Sequence, residues 1–193
     1  MTIYILATLV TLFILYLIPI YVKNYGVENF LWISDVGLFI TMPALWLQSP
    51  LLMSMAMIGI FPLELIWTVD YFYRLFIGKK LLGITDYMFD PSHSRFLRAL
   101  SLFHIVIPVI WIVYLIQWGY DVNAPFYQTV LMWVVLFLTY FFTRESANIN
   151  WVFLPAALHL KKISPIVWFL WLLVAFPLII IWPMHYLMLN LFK

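Results

Sequence analysis

No part of this chain lies far from a run of apolar residues long enough to cross a bilayer. Such runs fall at roughly 2–22, 30–48, 51–77, 96–118, 125–143 and 165–190, and a transmembrane helix needs about 20 predominantly apolar residues. Of the 193 residues, 66% are hydrophobic and only 9% charged, against about 25% charged in an ordinary soluble domain. A water-soluble fold of this length has too little interior to hide that much apolar surface. The sequence therefore predicts an all-α polytopic membrane protein, with residues 1–193 forming a single six-transmembrane-helix bundle. The first run has no basic flank and is too long for the core of a signal peptide, so it reads as a retained transmembrane helix.

Several function classes drop out. A net charge of +2 and the lack of a basic aromatic groove argue against a nucleic-acid partner. The absence of cysteine excludes disulfides, thiolate metal sites and cysteine nucleophiles. There is no G-x-S-x-G elbow, no H-E-x-x-H and no phosphate-cradling loop. All lysines lie at or beyond the ends of the runs, which disfavours a Schiff base inside the bundle. Asp86, Asp90 and His93 have a spacing that a metal can use, but a solvated loop with a proline turn accounts for them equally well. No metal and no cofactor is expected.

Charge asymmetry gives an orientation. Alternation through six spans gathers Lys23, Arg74, Lys79, Lys80, Arg95, Arg98, Arg144, Lys161 and Lys162 on one side and leaves Lys193 on the other. The positive-inside rule makes the crowded side cytoplasmic and both termini extracytoplasmic. Tyr21, Tyr25, Trp46, Trp118, Tyr120, Trp182 and Tyr186 sit near run ends, as interfacial aromatics do. Prolines 43, 62, 108, 177 and 183 should kink their helices, and the long third run should tilt, bend near Pro62 or project beyond the headgroups. Residues 148–162 are too short and too polar at their ends to span, and read as an interfacial or re-entrant segment.

The informative residues are the polar ones inside the runs. Asp35, Glu64, Asp70, Arg98 and His104 all fall in the cytoplasmic half or at the midplane, by a rise of about 1.5 Å per residue. Glu64, Trp67, Thr68, Tyr71 and Arg74 share one helical face. Asp70 and Arg74 are spaced i, i+4, which suggests an ion pair within the helix. Arg95, Arg98, Lys79 and Lys80 read mainly as topology determinants, and His185 as interfacial. Glu64 has no neighbour in its own helix to neutralise it. It should be protonated or paired across helices with a group such as His104. Ser34 and Ser101 serve as packing residues or as nucleophiles.

TDYMFDPSHSRFLRALSLFHIVIPVIW (Thr85 to Trp111), taken with ESANINWVF (Glu145 to Phe153), resembles a group of small bacterial membrane proteins without established activity, over about two-thirds of the chain. That resemblance implies class and a bacterial inner membrane rather than chemistry. In layout alone the chain is also similar to six-helix intramembrane hydrolases of fatty-acid esters, which use a threonine on helix 2 and a histidine on helix 4. That likeness points to Ser34 beside Asp35 and to His104, although the nearest threonine, Thr41, lies seven residues beyond Ser34.

The expectation is a cytoplasm-facing polar cavity that binds or hydrolyses a lipid or other apolar small molecule. As an enzyme, it would use His104 as base or acid, Ser34 or Ser101 as nucleophile, and Asp35 or Glu64 to orient the imidazole. Arg98 would neutralise a ligand carboxylate or phosphate, and Trp67, Tyr71 and Arg74 would complete the ligand site. A small proton-coupled transporter titrating at Glu64 and Asp35, and a non-catalytic subunit packed against a membrane-protein partner, are the alternatives.

Overall fold

A computed structural model describes residues 2–153 and 163–192, and within them the chain is helical with no strand. The order is α1 (Thr2–Tyr25), a 3-10 turn (Val27–Leu31), α2 (Ile33–Trp46), α3 (Pro50–Gly59) and α4 (Phe61–Ile77). A second 3-10 turn (Asp86–Phe89) precedes α5 (Arg95–Leu100), α6 (Phe103–Trp118) and α7 (Ala124–Phe142). A third (Ile149–Trp151) leads to α8 (Pro165–Ala175), which continues through a π-helical turn (Phe176–Ile181) into α9 (Trp182–Leu191).

Thr2–Tyr25, Arg95–Trp118, Ala124–Phe142 and Pro165–Leu191 are the 4 helical stretches long and apolar enough to cross a membrane. Pro50–Ile77 makes up to 5 if its two helices count as one span, bent by 51°. Six full spans are not found among the described residues. The shortfall is α2, whose 14 residues reach only about 21 Å against a hydrocarbon core of about 30 Å. The start of the second run, residues 30 and 31, is spent on the 3-10 turn Val27–Leu31. Even so, this is a helical bundle with the long apolar helices of a membrane protein.

α3 is the centre of the bundle. Every residue from Met53 to Gly59 is buried, and a helix that is apolar all round is one surrounded by others. It packs against α2, α6 and α7. At Gly59 a Cβ would fall 2.1 Å from the Gln128 amide nitrogen, so α7 lies against the bare backbone. At Gly37 of α2 a Cβ would meet Ile60 at 3.0 Å and Trp111 at 3.1 Å. Large apolar side chains on the outer faces, such as Leu9, Leu12, Val106, Val113 and Phe141, are exposed, as they are when the surrounding solvent is lipid.

Prolines act unevenly. Pro62 lies in the first turn of α4, just after the bend, and Pro177 lies in the π-helical turn. Pro43 and Pro108, expected to kink, lie inside uninterrupted helices. Pro177 has no N–H for the carbonyl of Leu173 four residues back, and that carbonyl accepts from the Trp133 indole at 2.8 Å.

Of the expected interfacial segment 148–162, residues 154–162 lie outside the described residues. Its first part is a strained turn, with Asn148, Asn150 and Trp151 at φ of 40°, 53° and 53°. A bulky residue such as Trp151 rarely adopts this conformation, and side chains hold it there. Asn150 accepts from the Ile33 amide at 3.0 Å and donates to the Leu31 carbonyl at 2.7 Å and to Thr139 Oγ1 at 3.1 Å. It thereby caps the first N–H of α2, one of the four that a helix leaves unpaired.

Candidate functional site

The residues that position the site belong to the basic end of the bundle. α1 brings Tyr21 and Tyr25 there, α2 opens with Ser34 and Asp35, and α4 carries Glu64 and Trp67 in its first turns. The Ser101–Leu102 turn between α5 and α6 leaves His104 in the first turn of α6. All of these line one cavity of about 340 Å³, together with Asn29, Trp32, Tyr87, Phe103, Asn150 and Trp151. The volume is at the small end of the range for ligand pockets, about 300–1,000 Å³.

At its inner wall, Glu64 Oε2 and His104 Nδ1 lie 2.6 Å apart. Both residues are buried, at 2% and 8% exposure. The imidazole is stacked between Phe103, with ring centroids 4.2 Å apart, and Trp67, at 4.4 Å. Stacking and the carboxylate fix the ring's plane and rotation together. With Nδ1 turned to the acid, Nε2 is the nitrogen left for a ligand, and it has no hydrogen-bond partner among the described residues. A carboxylate on one ring nitrogen orients the imidazole and fixes which nitrogen faces the cavity, as it does in catalytic triads and around metal ligands.

Asp35 faces the same space and is 3% exposed. Its Oδ2 accepts from Asn29 Nδ2 at 3.2 Å, while Oδ1 is buried with no partner among the described residues. The Tyr25 hydroxyl is likewise buried and unpartnered. Ser101 Oγ lies 3.0 Å from the Tyr21 hydroxyl, and Ser34 lines the cavity. Neither serine hydrogen-bonds His104. The serine–histidine pair expected of a hydrolase is therefore not formed in this conformation, because the Ser101 hydroxyl is taken by Tyr21.

No family model, curated protein or solved structure matches the chain. The site therefore rests on its own geometry, which corrects several sequence-level expectations.

Arg98, Tyr71 and Arg74 are not part of the cavity wall. Arg98 donates to the Met88 carbonyl at 2.8 Å. Arg74 does not pair with Asp70. It pairs with Asp86 and lies over the Phe89 ring, 4.5 Å from the centroid. Tyr71 stacks between Trp67 and Phe89, with centroids at 5.3 and 5.6 Å. Asp70 accepts from the amides of Leu82 (2.7 Å), Gly83 (3.2 Å) and Thr85 (2.9 Å) and from Thr85 Oγ1 (2.7 Å). A carboxylate given that many backbone donors has no need of an arginine. These side chains hold the segment after Gly78, a left-handed residue (φ 73°) that ends α4. The segment in turn brings Ile84 and Tyr87 to the cavity.

Thr41 is buried away from the cavity, accepting from Trp111 Nε1 at 2.7 Å and donating to the Gly37 carbonyl at 2.7 Å. His185, expected at the interface, is buried and 2.7 Å from the Tyr120 hydroxyl. Asp86 is engaged by Arg74 and Lys80, and among the described residues no three His, Asp or Glu side chains converge as a metal site.

Sequence reasoning missed Tyr21, Tyr25, Asn29, Trp32, Tyr87, Asn150 and Trp151 as wall residues. The two α1 tyrosines passed as interfacial aromatics. Their spacing of four, one turn on one face, was the available signal.

Proposed function

We propose that the chain is an integral membrane enzyme that performs general acid–base chemistry on a lipid or other amphiphile, with His104 as the base. The observation that carries this reading is the 2.6 Å contact between His104 Nδ1 and Glu64 Oε2 at the wall of a cavity. Glu64 sets the tautomer and stabilises the imidazolium formed during the reaction. Nε2 takes the proton of a water molecule or substrate hydroxyl as it attacks a carbonyl or similar centre, then returns it to the leaving oxygen. Ser34 and Ser101 line the same space and are the candidate serine nucleophiles, since catalytic hydrogen bonds are often loose without substrate. The excess of basic residues at this end of the bundle supports a cytoplasmic opening in a bacterial inner membrane.

The test is turnover by the purified full chain in mixed micelles, against a panel of acyl esters, amides and phosphodiesters. His104→Ala is expected to lower the rate per folded molecule by at least about a hundredfold, and Glu64→Gln by less, with folded fractions measured for each because truncating one partner of a buried pair lowers stability. No turnover with any class, together with uptake in liposomes driven by a pH gradient and dependent on Glu64, would replace this reading with transport.

A further inference from the structure

We propose that the polar end of the ligand is a protonated amine, held by Asp35 and Tyr25 inside a cage of aromatic rings. The inference names a ligand class for the site above and rests on that reading only for the location of the chemistry. The described lining contains two carboxylates, Asp35 and Glu64, one histidine, and no lysine or arginine. Glu64 already has His104 as its partner. Asp35 has only the neutral amide of Asn29, on one oxygen.

An ionised carboxylate buried this deeply without a counter-charge is expensive, so it takes up a proton or meets a cation or a strong donor. The N-terminus of α2 compensates in part, since a helix start favours negative charge. It leaves Oδ1 without a hydrogen. Tyr25, the other orphaned oxygen on this wall, is also able to accept.

The remaining wall is aromatic. Tyr21, Trp32, Tyr87 and Trp151 contribute to it, and ring faces attract ammonium groups where water is excluded. Two unfilled acceptors call for N–H donors, which a primary or secondary ammonium has and a quaternary one lacks. The expected anionic ligand, neutralised by Arg98, has no lysine or arginine to meet it among the described lining residues.

The experiment is calorimetric titration of the full chain in maltoside micelles at pH 7. The probes are decylamine, decyltrimethylammonium, 1-decanol and decyl sulfate, each expressed as mole fraction of the micelle. Decylamine should saturate a single site at least about tenfold more tightly than the alcohol or the sulfate, and Asp35→Asn should remove about that factor. Tyr25→Phe should weaken decylamine more than the trimethylammonium probe, which has no N–H. That arm decides the matter if Asp35→Asn fails to fold. Equal binding of decanol or decyl sulfate, or indifference of decylamine to both substitutions, overturns the proposal. Saturable amine binding with no turnover of any lipid leaves this site standing and removes the catalytic reading. His104-dependent turnover that decylamine does not inhibit does the reverse.

Discussion

Thr85 is joined twice to Asp70, its amide at 2.9 Å and its hydroxyl at 2.7 Å from the same carboxylate oxygen. With Leu82 and Gly83 on the other oxygen, one buried side chain of α4 gathers the segment that carries Ile84 and Tyr87 to the cavity. Asp70→Ala should cost about 2–4 kcal/mol, because several amides lose their acceptor at once, and Thr85→Val about 1 kcal/mol. Thermal unfolding in detergent gives the ranking. Tryptic cleavage after Lys79 and Lys80 should accelerate markedly in the first variant and little in the second.

Gly59 admits Gln128 against the backbone of α3. Gly59→Ala is therefore expected to destabilise by about 1–3 kcal/mol through overpacking. Adding Gln128→Ala should recover part of the loss, since it removes the colliding amide and an oxygen that is buried without a partner. If Gln128→Ala shifts stability by the same amount with and without Gly59→Ala, the two positions are not coupled.

Thr41 acts as acceptor for the Trp111 indole, which gives it a structural role in place of a nucleophilic one. Thr41→Val should cost about 1–3 kcal/mol by leaving a buried N–H unpaired. Thr41→Ser keeps the oxygen and should cost less. Neither should lower turnover beyond what lost folded protein explains. A Thr41→Val protein that is well folded but loses the proposed turnover would contradict this.

Arg144 pairs with Glu28 and holds its carboxyl below the usual carboxylate range. A depressed folded pKa stabilises above the unfolded value and loses that contribution as the pH falls through the folded one. The tie between the 3-10 turn after α1 and the segment after α7 should persist at neutral pH and release only as the pH falls below the usual glutamate range. Spin labels at Val27→Cys and Ala147→Cys, unique sites in a chain without cysteine, report it as a distance. Glu28→Gln should abolish the acid step and broaden the distance at all pH values.

The sequence disclosed the class of the fold and the inner wall of the site, and particular residues explain where it stopped. Apolar runs mark candidate spans, but hydropathy cannot see that Val27–Leu31 coils into a 3-10 turn and shortens α2. Glu64 stood out because no residue of its own helix could neutralise it, and His104 was the available partner at similar depth. Asp70 was misassigned because i, i+4 geometry is visible in sequence, whereas amides from a loop more than ten residues away are not. Arg98 and Arg74 were placed toward a ligand by charge, yet both are spent on the loop, on a carbonyl of Met88 and on Asp86. Asn150 and Trp151 reach the cavity from 117 residues beyond Ile33, a distance across which no local pattern operates.

That last contact sets a schedule for assembly. The helices of the first half can insert as each leaves the ribosome, but the start of α2, with Ser34 and Asp35 on it, waits for Asn150 to supply its capping oxygen. Until then the newborn bundle has walls and no finished chamber. A chain stopped before residue 148 would lack both this cap and the Asn150–Trp151 part of the cavity wall.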